Sequence, residues 1–185
     1  MTSAFASPLW LIAGAAMLAA AIASDVKTQR IPNAVVAGGL VAALALSALP
    51  GGIGAPNALA GMGAGFLVLL PAYLLRVMGA GDVKLLAAVG AFIGFPGVLG
   101  AALAALLAGG VLALAWAVWH RRLRAVLANL RDGFLVLMAD AAARRRPAAG
   151  AVRTSPARIP YAVAIAAGAV MQVLLAGGFA WRGGI

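Results

Sequence analysis

Few side chains in this sequence can do acid–base chemistry. The acids are four aspartates, Asp25, Asp82, Asp132 and Asp140, with no glutamate; the only histidine is His120, and there is no cysteine. That inventory excludes a thiolate nucleophile, a Cys-bound metal and a multi-His metal site. It leaves a pair of carboxylates. An ionised carboxylate can take a proton from water, while a protonated partner polarises a carbonyl and later protonates the leaving amine. Neighbouring carboxylates resist ionising together, so proximity itself enforces the division. Hydrolysis of this kind needs no covalent intermediate, no metal and no cofactor.

Two of the four fit that role. Asp82 sits in Met78–Leu86 (Met-Gly-Ala-Gly-Asp-Val-Lys-Leu-Leu), at the junction of two apolar runs. An acid placed there is costly in a membrane and calls for a reason. Asp25 opens the short polar stretch Asp25–Asn33 after another apolar run, and the tripeptide Asp-Val-Lys occurs at both 25–27 and 82–84. Gly79 and Gly81 would let a substrate backbone approach Asp82 without a side chain in the way. They would also let one helix unwind before the next begins. Lys27 and Lys84 could favour the ionised carboxylates, bind lipid phosphate or mark the inner membrane face. Each acid also has a plainer reading. Asp82 could be the N-cap of a helix, and Asp25 a solvated loop acid beside Lys27 or Arg30. Asp132 and Asp140 lie among arginines and read as surface charges, and His120 as a membrane-boundary residue.

The elements that must position the pair follow from composition and periodicity. Of 185 residues, 65% are hydrophobic and 10% charged, against about 25% charged in ordinary soluble domains. The expected fold class is all-α, a polytopic membrane protein. Apolar runs cover Leu9–Ser24, Ala34–Leu49, Leu59–Met78, Asp82–Phe95, Val98–Trp119 and Pro160–Phe179. They predict six transmembrane helices. The end of the first run resembles a signal-peptidase site, but the stretch before it has no Lys or Arg, so a retained helix is expected. Pro32 should end any helix coming from before it, with Asn33 as N-cap of the second. Gly61/Gly65 and Gly90/Gly94 suit close helix packing, and Gly94–Gly97 reads as a tight turn. Over Arg121–Met138 the apolar residues Leu123, Val126, Leu127, Leu130, Phe134, Leu137 and Met138 share a face. That pattern predicts a cytoplasmic amphipathic helix lying on the membrane, with a stalk continuing the fifth span as its alternative. The expected organisation is a five-helix catalytic core at 1–119, a basic cytoplasmic loop at 120–158, and the sixth helix with the C-terminus at 159–185.

Charge sets the expected orientation. The formal net charge is +10. The arginines cluster after the fifth run without an interleaved series of stacking aromatic residues for single-stranded nucleic acid, which favours anionic membrane lipid over nucleic acid as the partner. With six spans, every Lys and Arg except Arg182 falls on one side, the cytoplasmic one by the positive-inside rule. Both termini would then face outward, and Asp25 and Asp82 would lie at the cytoplasmic face. Asp82–Phe95 spans roughly 21 Å as a helix, against a hydrocarbon core of about 30 Å, so Asp82 should be slightly sunk.

Asp25-Val-Lys-Thr-Gln-Arg-Ile-Pro-Asn33 resembles the first catalytic-aspartate segment of the type IV prepilin peptidases. Gly79-Ala-Gly-Asp82-Val-Lys-Leu85 resembles their second, the GxGD motif. Ile159–Ala164 is similar to the closing segment of the short members that serve Tad/Flp pili. The resemblance implies a bacterial inner-membrane aspartic endopeptidase with Asp25 and Asp82 as its catalytic pair. Its substrate would be a prepilin-like protein with a basic leader and a transmembrane helix, cut after a glycine at the cytoplasmic face. The longer family members have a four-cysteine segment and also N-methylate the product, and this sequence contains no cysteine. Presenilin-type proteases have Tyr before the first aspartate and a Pro-Ala-Leu motif; here Ser24 precedes Asp25 and no Pro-Ala-Leu occurs. Two other classes stand beside this reading. A small proton-coupled transporter would carry its carboxylate at mid-membrane, and a non-enzymatic pilus-assembly protein would tolerate loss of either aspartate.

Overall fold

The computed structural model describes residues 8–75, 77–142 and 161–182, and among these the chain is helical with no strand. The helices are α1 (Pro8–Thr28), α2 (Asn33–Ser47), α3 (Ala55–Leu74), α4 (Ala80–Ile93), α5 (Gly97–Trp119), α6 (Leu123–Ala142) and α7 (Tyr161–Arg182). By length and composition, α1, α3 and α5 can cross a membrane; α2 and the 161–176 part of α7 are shorter apolar helices.

The centre of the bundle is the shortest helix. α4 has 14 residues, and every residue from Leu85 to Ile93 is buried. α1, α2, α3, α5 and α7 all pack against it. Its tightest neighbour is α3, and the reason is glycine. Gly61 lies directly on the backbone of Gly90 and Gly94, and Gly65 on that of Leu86 and Ala87. Without Cβ atoms the two backbones touch, and dispersion contacts form along the whole seam. On the other side, the ring of Phe92 meets Trp10 edge-on at 5.5 Å and packs over Gly14 of α1.

The outside of the bundle is apolar. Leu9, Val41, Leu67, Leu107 and Leu174 are among the many large hydrophobic side chains left exposed. A water-soluble surface would not carry so much continuous apolar area, whereas a lipid-facing one must. The polar residues gather at the two ends. At one end Asn57 Oδ1 accepts from the Phe95 N–H at 2.9 Å, tying the first turn of α3 to the α4–α5 turn. That second turn is the tight one expected at Gly94–Gly97, with a cis Phe95–Pro96 peptide and φ +76° at Gly94. At the other end Lys84 Nζ donates to Asn33 Oδ1 at 3.1 Å, joining α4 to α2.

Three boundaries differ from expectation. α1 continues through Thr28, so Asp25 is helical and not in a loop. No Gly or Pro interrupts Ser24–Thr28; the helix stops where Gln29 turns to φ +52° and its N–H closes on Asp25 O at 2.8 Å. Thr28 and Ser24 then tie the turn down, both donating to Arg30 O. Pro32, not Asn33, caps α2, in extended backbone at ψ 134°. α3 passes Pro71 and ends at Leu74, before the expected Met78. Beyond α5, Arg121 takes φ +54° and separates α6 as its own helix, against the stalk alternative. α6 touches the bundle chiefly through α5. Leu127, Phe134 and Met138, on its apolar face, are exposed. Arg76, the arginines of 143–160 and the side chains of Asp140, Trp181 and Arg182 lie outside the described residues.

Candidate active site

Asp25 and Asp82 come from opposite helix ends that meet at one end of the bundle. Asp25 occupies the last turn of α1 and is 7% exposed. Asp82 is the third residue of α4 and is half-buried. The two carboxylates are close enough for their charges to interact. Residues remote in sequence are thus brought together by antiparallel packing of α1 and α4 around a shared core.

Local sequence explains each placement. Gly79, not Asp82, is the N-cap of α4. The Asp82 N–H donates to Gly79 O at 3.2 Å, and the Asp82 carboxylate lies close over the Gly79 backbone. An acid at the third helical position, beside the cap residue's backbone, is the half of a capping box that a glycine cap permits. The helix N-terminus also favours a negative charge there. Asp82 therefore helps start α4, within reach of the Asp25 charge.

Asp25 has no such support from its own helix, because a carboxylate near a C-terminus faces unfavourable carbonyl dipoles. Its support comes from elsewhere. Oδ2 accepts a hydrogen bond from the Ala162 N–H of α7 at 3.1 Å, in a buried contact. The neighbouring Tyr161 is half-buried and lies within range of the Asp82 charge.

The two glycines of the motif do different things. Gly79 is exposed, and a Cβ there would stand 3.3 Å from Asp82 Oδ2 with little else around it. Its φ of −76° and ψ of 150° suit any residue, so what glycine supplies is open space beside the carboxylate. Gly81 instead makes room for Ile31, whose Cβ lies 3.2 Å from where a Gly81 Cβ would be. That contact holds the α1–α2 connection, and so the end of α1, against α4. Lys84 is engaged with Asn33. Lys27 is exposed in the last turn of α1. Among the described residues the ion pair is Arg131–Asp132, an exposed contact at 3.0 Å, so neither lysine is bridged to Asp25 or Asp82. His120 stacks on Trp116 at the end of α5, far from the pair in the chain.

Sequence reasoning missed the part played by Tyr161 and Ala162. The signal was present in the Pro-Tyr start of the last apolar run, but a backbone donor leaves no mark in residue type.

A family model described as the type IV leader peptidase family matches residues 12–114. The match takes in both aspartates and ends within α5, before α6 and α7. No curated protein and no solved structure matches the chain.

Proposed function

The chain belongs to the type IV leader peptidase family, and on that premise we propose that it is a membrane-embedded aspartic endopeptidase that removes the basic leader of prepilin-like substrates, with Asp25 and Asp82 as its catalytic pair. The observation that carries the proposal is the meeting of these two carboxylates at one end of an apolar bundle, their charges interacting. One carboxylate takes a proton from water, and the hydroxide so formed adds to the scissile carbonyl carbon. The other, protonated, donates to the carbonyl oxygen. The tetrahedral species then collapses: the C–N bond breaks, and the amine leaves with a proton from a carboxyl group. No covalent bond to the protein forms. Gly79 leaves the approach to Asp82 open, while Gly81 keeps the two helix ends together.

In this reading the chain crosses the bacterial inner membrane six times. The α4 N-terminus, Asp25 and the basic segment after α5 face the cytoplasm, and both termini face outward. The core over 1–119 carries the chemistry, the segment over 120–158 binds anionic lipid, and 159–185 adds the last span. The exposed apolar face of α6 supports the lipid assignment, since such a face beside basic residues suits the membrane surface. The short Tad/Flp type is the branch of the family that the sequence best fits. Lys27 and Lys84 mark the cytoplasmic face, and Lys84 joins α4 to α2 through Asn33.

The test is cleavage of a co-expressed prepilin by wild type, Asp25→Asn and Asp82→Asn. Both variants should lose processing by about a thousandfold or more, as expected when one member of a pair acting as a unit is removed, while accumulating normally in the membrane. Retained processing in either variant would sink the catalytic-pair assignment.

A further inference from the structure

We propose that the first turn of α7 is a positioning element of the active site, in which the Ala162 N–H fixes the Asp25 carboxylate and Tyr161, seated on Gly109, holds that turn in place. The inference rests on the peptidase reading and adds to it a part contributed from outside the family-matched region, which ends at residue 114.

Asp25 is buried on a helix end that disfavours a negative charge, and a buried carboxylate left without a donor is strongly destabilised. The first N–H groups of a helix have no intrahelical partner and point at whatever lies beyond the helix start. At α7 one of them, that of Ala162, points at Asp25 Oδ2. Ala162 is itself fully buried, so water does not compete for the bond.

The turn is held from α5. The Tyr161 ring lies directly on Gly109, where any Cβ would collide with it, and the Tyr161 hydroxyl donates to Ala105 O at 3.4 Å. Two turns further along, Gly168 lies against the backbone of Ala101 and Ala105, so α5 and α7 stay in contact. Tyr161 also sits within the field of Asp82. A single helical turn thus addresses both carboxylates from an element that carries neither. By holding Asp25 in one orientation, it fixes where a water between the pair can be activated. Misplacement of a reacting group costs rate while leaving substrate binding largely intact.

The test uses the purified full chain in detergent with a prepilin substrate, reading kcat, KM and thermal unfolding. Ala162→Pro deletes the N–H at a first-turn position where proline is tolerated, and Ala162→Ser keeps it. Ala162→Pro should lose kcat by about tenfold to a hundredfold, the scale of one charge-assisted hydrogen bond. KM should stay within about twofold, while the unfolding midpoint should fall by several degrees, because a buried carboxylate has lost its donor. Ala162→Ser should keep kcat. Gly109→Ala reaches the same turn from α5 by displacing the Tyr161 ring, and should lower kcat with KM unmoved. A folded Ala162→Pro with wild-type kcat overturns the proposal, as does an Ala162→Ser that loses as much as Ala162→Pro. If Ala162→Pro does not fold, an unchanged kcat in Gly109→Ala overturns it. A wild type that cleaves nothing is a different result, and brings down the peptidase reading itself.

Discussion

Asp25 and Asp82 present the same functional group in opposite settings. Asp82 is part of the start of its helix and is backed by Gly79, whereas Asp25 lies at the end of its helix and depends on Ala162 from another. The glycines of the motif divide in the same way, and they separate experimentally. Gly79→Thr should fold normally, because threonine caps helices about as well as glycine and accepts φ −76°, ψ 150°. Its Cβ would start 3.3 Å from Asp82 Oδ2 and cover the carboxylate, so prepilin cleavage should fall by about tenfold or more with the unfolding temperature preserved. Gly81→Ala should do the reverse. Its Cβ presses on Ile31 at 3.2 Å, an overpacking worth about 1–3 kcal/mol, and the loss should appear as a lowered unfolding midpoint. Equal losses of activity at unchanged stability in both variants would contradict this division. Both aspartates and both glycines could be picked out from residue type and spacing. Their separate duties could not, because those depend on what stands opposite each Cα.

At the scale of elements, the organising unit is α4. Its 14 residues cover roughly 21 Å, and its burial on all sides makes it the post that the longer helices surround. The α3–α4 seam is built from Gly61, Gly65, Gly90 and Gly94. Gly61→Ala would drive a methyl group into the Gly90 and Gly94 backbone, which has no flexible side chain to yield. It should destabilise the protein by about 3 kcal/mol or prevent its accumulation. Gly63→Ala, one face round on the same helix, meets nothing within 4 Å. It should be neutral or stabilising by up to about 1 kcal/mol through helix propensity. Thermal unfolding of the two purified variants decides the matter, and similar midpoints would show that the seam is not tightly packed. The glycine spacing pointed to such a seam from the sequence. Which helix it would meet was open, because glycine is frequent throughout this chain.

For the whole molecule, the contacts sort the connections into two ends. Asn33, Ile31, Gly81, Lys84, Asp25 and Ala162 gather at one, and Asn57 with Phe95 at the other. This sorting is what a membrane imposes on antiparallel helices joined by short turns. The absence of cysteine makes it directly testable. Single cysteines at Arg124, exposed on α6, and at Phe95, exposed in the α4–α5 turn, should label with a membrane-impermeant thiol reagent from opposite sides. Arg124→Cys should react only from the cytoplasm and Phe95→Cys only from outside; labelling of both from one side would overturn the proposed topology.

Composition and spacing were enough to read an apolar, helical membrane class and to point to Asp25 and Asp82. An apolar, nearly acid-free, cysteine-free chain has few reactive groups to offer, and the cost of a carboxylate beside an apolar run singles out Asp25 and Asp82. These are properties of composition and local spacing, which need no fold to be read. How the pair is held is a matter of packing between distant helices. The fold extended α1 through Asp25, made Gly79 the cap of α4, gave Gly81 to Ile31, and brought the backbone of Ala162 from the far end of the chain to Asp25. The physical reason is the same in each case. A backbone N–H and an absent Cβ act through position in space, and every residue but proline carries the same N–H.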